Sequence, residues 1–151
     1  MNLCYTIFSK VGDIMKRQEK YPETKWFVFE NVNPTNRITG DCYVRAVTRA
    51  TGKDYKEVLQ TFFDISLNSG YSIGSTKCIE LTLQHLGYTK QKQPKHRDNT
   101  KYTGKEFCEE FNKGVYICNI GGHHITVVID GKIHDIWDCT EKTVGNYCKV
   151  R

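Results

Sequence analysis

The chain lacks any apolar run approaching the roughly 18 to 20 residues that a membrane-crossing helix requires, so no spanning helix and no membrane partner are expected. It also lacks a CxxC pair. Its seven cysteines, at 4, 42, 78, 108, 118, 139 and 148, are odd in number and irregular in spacing, which argues against a disulfide framework and against a zinc cage. The opening Met1-Asn2-Leu3-Cys4-Tyr5-Thr6-Ile7-Phe8 is polar and soon interrupted by Ser9, Lys10 and Asp13, unlike a secretory signal, and cytoplasmic residence is the default expectation. No nucleic-acid motif accompanies the net charge of +5. Much of that charge is local: Lys90, Lys92, Lys95, His96, Arg97 and Lys101 fall in a polar stretch, 89 to 102, without apolar periodicity. That stretch reads as a solvated connecting loop, with a phosphate- or partner-contacting loop as the alternative, and nucleic acid is not an expected partner.

What is present fits one domain over 1–151, with 1–25 as an N-terminal extension. The length allows one real core, and 38% hydrophobic with 26% charged residues is ordinary for a globular protein. Ile7, Phe8, Val11, Ile14 and Met15 stand at helical spacing within 5 to 19. Trp26 to Phe29 suggests a short strand. From Asp41 to Thr51, Val44, Ala46, Val47 and Ala50 form one stripe, Arg45 and Arg49 lie on another, and Gly52 closes the helix. Asp54 caps a second helix ending before Ser69-Gly70, and Ser75 or Thr76 opens a third that stops at Gly87. Thr103 and Glu106 make a capping-box pattern for a fourth. From Val115 the period switches to two, giving strands 115–120, 124–129, 132–138 and 144–150, with Asp130-Gly131 as a hairpin turn between the middle two. The fold class expected is α+β, with a helical N-terminal part packed on a C-terminal antiparallel sheet.

Cys42 stands where a loop turns into a helix, and a helix N-terminus with a nearby imidazole lowers a thiol's pKa. Cys78, Cys108 and Cys118 sit among apolar residues and read as core. Some eighty residues after Cys42, Gly121-Gly122-His123-His124 leads into an apolar strand. A cysteine so placed, with a histidine as its base, is the pattern of a thiol acyl-transfer enzyme.

Gly40-Asp41-Cys42, His124 opening a strand and Asp138 at the end of the paired strand resemble the papain-like cysteine peptidase superfamily. More narrowly, the runs from Asn33-Pro34 to Ala46 and from Val128 to Cys139 resemble small uncharacterised papain-like proteins of bacteriophages and their hosts, over about residues 26 to 150. The resemblance implies a papain-like fold with a Cys42, His124, Asp138 triad working through a thioester. Asp138 is preferred because it lies about as far from the hairpin tip as His124 does. Asp135, an odd step away, is the second choice. Of the adjacent histidines, His124 is preferred as the first residue of the strand, with His123 second. Asn36, six residues before Cys42 where papain has a glutamine, is the candidate oxyanion donor, with Thr39 and the amides of 39 to 42 as alternatives. Asp41 is expected to cap the helix, and His85 and His134 to lie at the surface.

The resulting expectation is a cysteine peptidase, isopeptidase or amidase acting on a protein or peptide substrate. The alternatives are a transglutaminase-like amide transferase, or an inactive papain-like protein that binds a host protein target in the host cytoplasm. No cofactor is implied. No metal is expected, because His123 and His124 point to opposite faces of a strand and no third ligand has suitable spacing.

Overall fold

The computed structural model describes residues 3–151, with side chains from Gly12 onward. Helix α1 spans Leu3–Lys20, covering the expected 5 to 19, but the stripe residues Ile7, Phe8 and Val11 lie outside the described side chains. Then follow β1 (Phe27–Phe29), α2 (Cys42–Thr51), α3 (Tyr55–Ser69), α4 (Thr76–His85), β2 (Lys90–Gln91), α5 (Gly104–Glu110), β3 (Val115–Ile120), β4 (His124–Ile129), β5 (Lys132–Asp135) and β6 (Val144–Lys149). The class is α+β, with five helices and a six-stranded sheet among the described residues.

Local chemistry sets most of the boundaries. The Asp54 side chain accepts from the amides of Lys56 and Glu57 to start α3, and Ser75 accepts from Cys78 N to start α4. Thr103 and Glu106 close a full capping box on α5. Gly52 and Gly70, both left-handed, end α2 and α3.

The sheet order is β1-β5-β4-β3-β6-β2. It is mixed rather than antiparallel, because β1 joins the edge parallel to β5 through pairs such as Phe27 with Ile133. Phe27 is fully buried, and the Trp26 carbonyl and Glu30 amide extend the pairing to Ile133 and Asp135. A three-residue strand pairing across about a hundred positions leaves no local pattern, so only its apolar character was legible. The expected loop at 89 to 102 likewise contains β2, which pairs with Cys148 and Tyr147 of β6. Its charge is partly neutralised: Lys90 pairs with Glu80 at 2.8 Å and His96 with Glu106 at 3.3 Å.

Apolar residues fill both faces of the sheet. On one, Ile117, Ile125, Val127 and Cys148 pack against Val44 and Val47 of α2, Val58 and Phe62 of α3 and Leu83 of α4. On the other, Cys118, Ile120, Val128 and Ile133 meet Phe27, with Phe107 and Cys108 of α5. Cys78, Cys108 and Cys118 are core, as are Cys139 and Cys148. Arg17 ties α1 to the segment after β5 through Nε donating to the Ile136 carbonyl at 2.6 Å.

The β4–β5 hairpin sets the register that matters below. Asp130 and Gly131 both take positive φ, 46° and 79°, the pair of a tight two-residue turn. A Cβ on Gly131 would lie 2.9 Å from the Cys108 carbonyl. Gly131→Ala is therefore expected to destabilise by more than about 1 kcal/mol, combining left-handed strain with a backbone clash; urea unfolding followed by circular dichroism measures the difference.

Candidate functional site

Asp41 occupies the N-cap position of α2, but its side chain makes no cap hydrogen bond. It turns into the protein instead, where Oδ2 accepts from the Tyr55 hydroxyl at 2.7 Å and from Asn33 Nδ2 at 2.9 Å. Its Oδ1 pairs with Arg45 one turn later in the helix. The expectation that Asp41 caps α2 is corrected accordingly. The amide end of the helix thus has no side-chain cap from Asp41, and Cys42 is its first residue.

Arg45 bridges two buried carboxylates. Its guanidinium holds Asp41 on one side, and its NH2 lies 3.4 Å from Asp135 Oδ1 on the other. The Arg45 and Asp135 side chains are 6% and 4% exposed, so this pairing is shielded from water and from salt. Asp135 Oδ1 also accepts from the Ile136 amide at 2.7 Å. Its other oxygen, Oδ2, lies 2.6 Å from His124 Nε2.

The Cys42 thiol faces that same imidazole, and with Nε2 committed to Asp135, Nδ1 is the ring nitrogen left for the sulfur. Burial pushes the Cys42 thiol up, but His124, the Ile125 amide and the charges of His124 and Arg45 outweigh it and bring its pKa below the ordinary value. Burial lowers the His124 pKa; the Asp135 carboxylate and Cys42 more than compensate, raising it to about 9. Burial raises Asp135, and hydrogen bonding and charge from His124, with Arg45 behind, bring it below the usual carboxylate range. The arrangement makes thiolate beside imidazolium more accessible than it is for an isolated thiol. Trp137 packs edge-on against the His124 ring, with centroids 4.9 Å apart.

Asp138, the preferred carboxylate from the sequence, is not at this site. Strand β5 ends at Asp135, and Asp138 lies beyond it in a local turn, its Oδ1 accepting from the Thr140 amide at 3.1 Å and hydroxyl at 2.6 Å. The register explains why. Ile129 opposes Lys132, Val128 opposes Ile133 and Val127 opposes His134, so one further step sets Asp135 against Thr126, on the His124 side of the strand. His123 is exposed in the turn before β4, leaving His124 as the histidine at the thiol. Asn36 is also exposed, at the end of a turn with φ 56°, and its side chain makes none of the hydrogen bonds seen among the described residues. The backbone amides at the start of α2, left without a side-chain cap by Asp41, are donors beside Cys42. His134 is not a free surface residue: it is 14% exposed and shares Glu30 Oε2 with Arg49, each at 2.8 Å. His85 is exposed as expected.

Three residues at the site carried no sequence signal that singled them out. Asn33 and Tyr55 support Asp41 from a turn and from α3. The sequence set Arg45 only on a stripe of α2 with Arg49; its i, i+4 pairing with Asp41 and its reach to Asp135 are findings of the structure. Cys139 is the third, fully buried beside Asp135; its sulfur and ligand atoms of His124 and Asp135 all lie within 4.8 Å of one another. The trio could hold a divalent metal only by opening the 2.6 Å contact between His124 and Asp135, since tetrahedral ligands about 2.0–2.1 Å from zinc stand roughly 3.3 Å apart.

No protein-family model, curated protein or solved structure matches the chain.

Removing Arg45 leaves the buried Asp41 carboxylate without a cation and Asp135 with His124 alone. Arg45→Met is expected to lower stability at neutral pH by about 3–5 kcal/mol. Unpaired carboxylates protonate as pH falls, so the deficit relative to wild type should shrink on acidification. Urea unfolding at several pH values tests both the size and the trend.

Proposed function

We propose that this chain is a cysteine-dependent acyl-transfer enzyme of papain-like type, a peptidase, isopeptidase or amidase, with Cys42 as nucleophile, His124 as proton carrier and Asp135 as the carboxylate that orients it. The observation that carries the reading is the alignment of Cys42 at the uncapped start of α2 with His124, whose Nε2 lies 2.6 Å from a buried carboxylate. Each part suits its role. The Cys42 thiolate attacks an acyl carbon, and negative charge on the carbonyl oxygen develops where the Cys42 amide and the positive end of the helix can meet it. His124, charged at this stage, gives its proton to the leaving amine as the tetrahedral intermediate collapses to a thioester. Neutral His124 then takes a proton from the water that attacks the thioester; collapse of the second tetrahedral intermediate releases the carboxylic acid and regenerates the Cys42 thiolate beside imidazolium. Asp135 fixes the ring and stabilises its cation, while Arg45 holds Asp135 from behind. If an amine rather than water accepts the acyl group, the same residues serve amide transfer.

A protein or peptide amide is the substrate class this chemistry fits. The inactive binding-protein alternative is not favoured by the 89 to 102 loop, part of whose charge is already paired within the chain.

The test is the rate of Cys42 alkylation by iodoacetamide against pH, followed by mass spectrometry. In wild type, Cys42 should react fast from below the ordinary thiol range, and the rate profile should change again near pH 9 as His124 loses its proton. His124 has a raised pKa, so its help to the thiolate is present below that value and is lost as pH rises through it. His124→Ala should cut the rate at pH 6 by at least about tenfold, the effect of one pKa unit on the thiolate fraction. Asp135→Asn should lower it in the same direction, whereas Asp138→Asn and His123→Ala should leave it unchanged. Slow Cys42 alkylation indifferent to His124 would overturn the enzyme reading.

A further inference from the structure

One buried nucleophile has no part in the chemistry proposed above. Cys139 is fully buried just beyond Asp135, and its sulfur and ligand atoms of Asp135 and His124 all lie within 4.8 Å of one another. Its backbone is pinned on both sides. The Cys139 carbonyl accepts from the Lys142 amide at 2.9 Å, Asp138 Oδ1 accepts from the Thr140 hydroxyl at 2.6 Å, and the Thr140 carbonyl accepts from the Lys105 amide of α5 at 2.9 Å. The sulfur is therefore held in place beside the pair.

A buried free cysteine ordinarily packs as a small hydrophobe. Here its neighbours are a carboxylate, an imidazole and a hydroxyl. Thr126 Oγ1, in a residue 1% exposed, lies beside Asp135 and the Cys139 thiol but is left without a hydrogen bond among the described residues. A buried hydroxyl in that condition points to a further polar guest. The other two side chains already carry the outer contacts that metal ligands need. Arg45 and the Ile136 amide hold Asp135 Oδ1, which frees Oδ2, and Oδ2 meets Nε2 of His124.

We propose that His124 Nε2, Asp135 Oδ2 and the Cys139 thiolate form a site for a thiophilic divalent cation of the zinc class, and that an ion bound there switches the thiol site off. One nitrogen, one oxygen and one sulfur suit such an ion, and a water in the fourth position has Thr126 Oγ1 as its partner. The rearrangement is small. Nitrogen and oxygen ligands roughly 2.0–2.1 Å from zinc stand about 3.3 Å apart, so the 2.6 Å contact opens by about 0.7 Å. Binding forms three metal–ligand bonds and releases two protons to solvent, one from His124 Nε2 and one from the Cys139 thiol. The two positive charges of the ion replace those of the protons, and the net charge of the cluster is unchanged. With Nε2 on the metal, loss of the Nδ1 proton would leave imidazolate, so His124 no longer passes a proton between Cys42 and a substrate. The switch rests on the acyl-transfer reading above; the metal site does not.

Free zinc and cobalt(II) ions test the site in Cys42→Ser, which removes the thiol on the other side of the ring. Calorimetric titration should show one zinc per chain, and cobalt should give thiolate charge-transfer absorption with the visible bands of a tetrahedral ion. Adding Cys139→Ala should abolish the charge-transfer band and weaken zinc binding by more than the roughly 10- to 100-fold that loss of an outer partner costs. Adding His124→Ala instead should weaken zinc binding as far, which keeps the test open if the Cys139 variant fails to melt cooperatively by circular dichroism. The switch is read with p-nitrophenyl acetate, whose phenolate leaves without a proton. Zinc should spare the first burst of wild type and stop the turnover that follows, and Cys139→Ala should turn over with or without zinc. No saturable zinc binding, no thiolate band in Cys42→Ser, or zinc inhibition that survives Cys139→Ala would overturn the proposal. Absence of turnover without any metal, together with slow Cys42 alkylation, would remove the acyl-transfer reading and the switch with it, and the cobalt spectrum would still decide the site.

Discussion

The site depends on a guanidinium buried between two carboxylates. Burying charge is costly unless each ion is paired and its remaining hydrogen-bonding capacity is met, and removal of one partner leaves the others exposed to that cost. Here Arg45 serves both Asp41 and Asp135, so one cation is shared by two anions. The deficit is met differently on the two sides. At Asp41, neutral donors complete the shell, the Tyr55 hydroxyl and the Asn33 amide. At Asp135, the complement is His124, and the imidazole has reason to stay protonated because it is the second cation that the cluster lacks. Burial opposes that charge, and Asp135 together with Cys42 outweighs it, raising the His124 pKa to about 9.

The same bridge fixes geometry. Asp41 and Arg45 flank Cys42 on the first turn of α2, and Arg45 reaches across to the end of β5. Helix and sheet are thereby registered at the point where sulfur and imidazole must meet. The cost lies at the helix end: by turning inward, Asp41 forgoes a cap bond worth about 1 kcal/mol. Three features then coincide at one residue: the first position of a helix, no side-chain cap and an imidazole opposite. A helix start free of a capping side chain is where a developing anion is best received, so the lost cap is consistent with the proposed chemistry.

Much of this was legible in the sequence where the signal was local. Gly40-Asp41-Cys42 before an apolar stripe announced α2, Thr103 with Glu106 announced α5, and Asp130-Gly131 announced the hairpin. Cys42 and His124 followed from their places on those elements. Asp135 lost to Asp138 through a count made from the wrong origin. Measured from the turn residues, His124 and Asp138 look equivalent; measured from the first paired residues, Ile129 and Lys132, the alternation sends Asp135 to the His124 side and ends the strand there. Arg45 was visible only as part of a charged stripe with Arg49, because its partner Asp135 lies ninety positions away. β1 was visible as an apolar segment without its neighbour. Long-range pairing of single residues leaves no period to read.

The cysteines bring out what separates a reactive thiol from a buried one. Burial alone drives a thiol away from ionisation, and it does so for Cys108, up to about 12, and for Cys118, Cys139 and Cys148. Cys42 is partly buried too, and its pKa moves the other way. The comparison with Cys139 is the closest, since both sulfurs lie near the His124–Asp135 pair. Cys139 sits on the carboxylate side, where a second negative charge is repelled, and Cys42 sits on the imidazole side, where one is welcomed. The order thiol, imidazole, carboxylate, guanidinium, carboxylate alternates in charge from Cys42 to Asp41, and only the sulfur at the open end of that series can ionise at little cost. Position along that chain of charges, more than exposure, decides which cysteine can act.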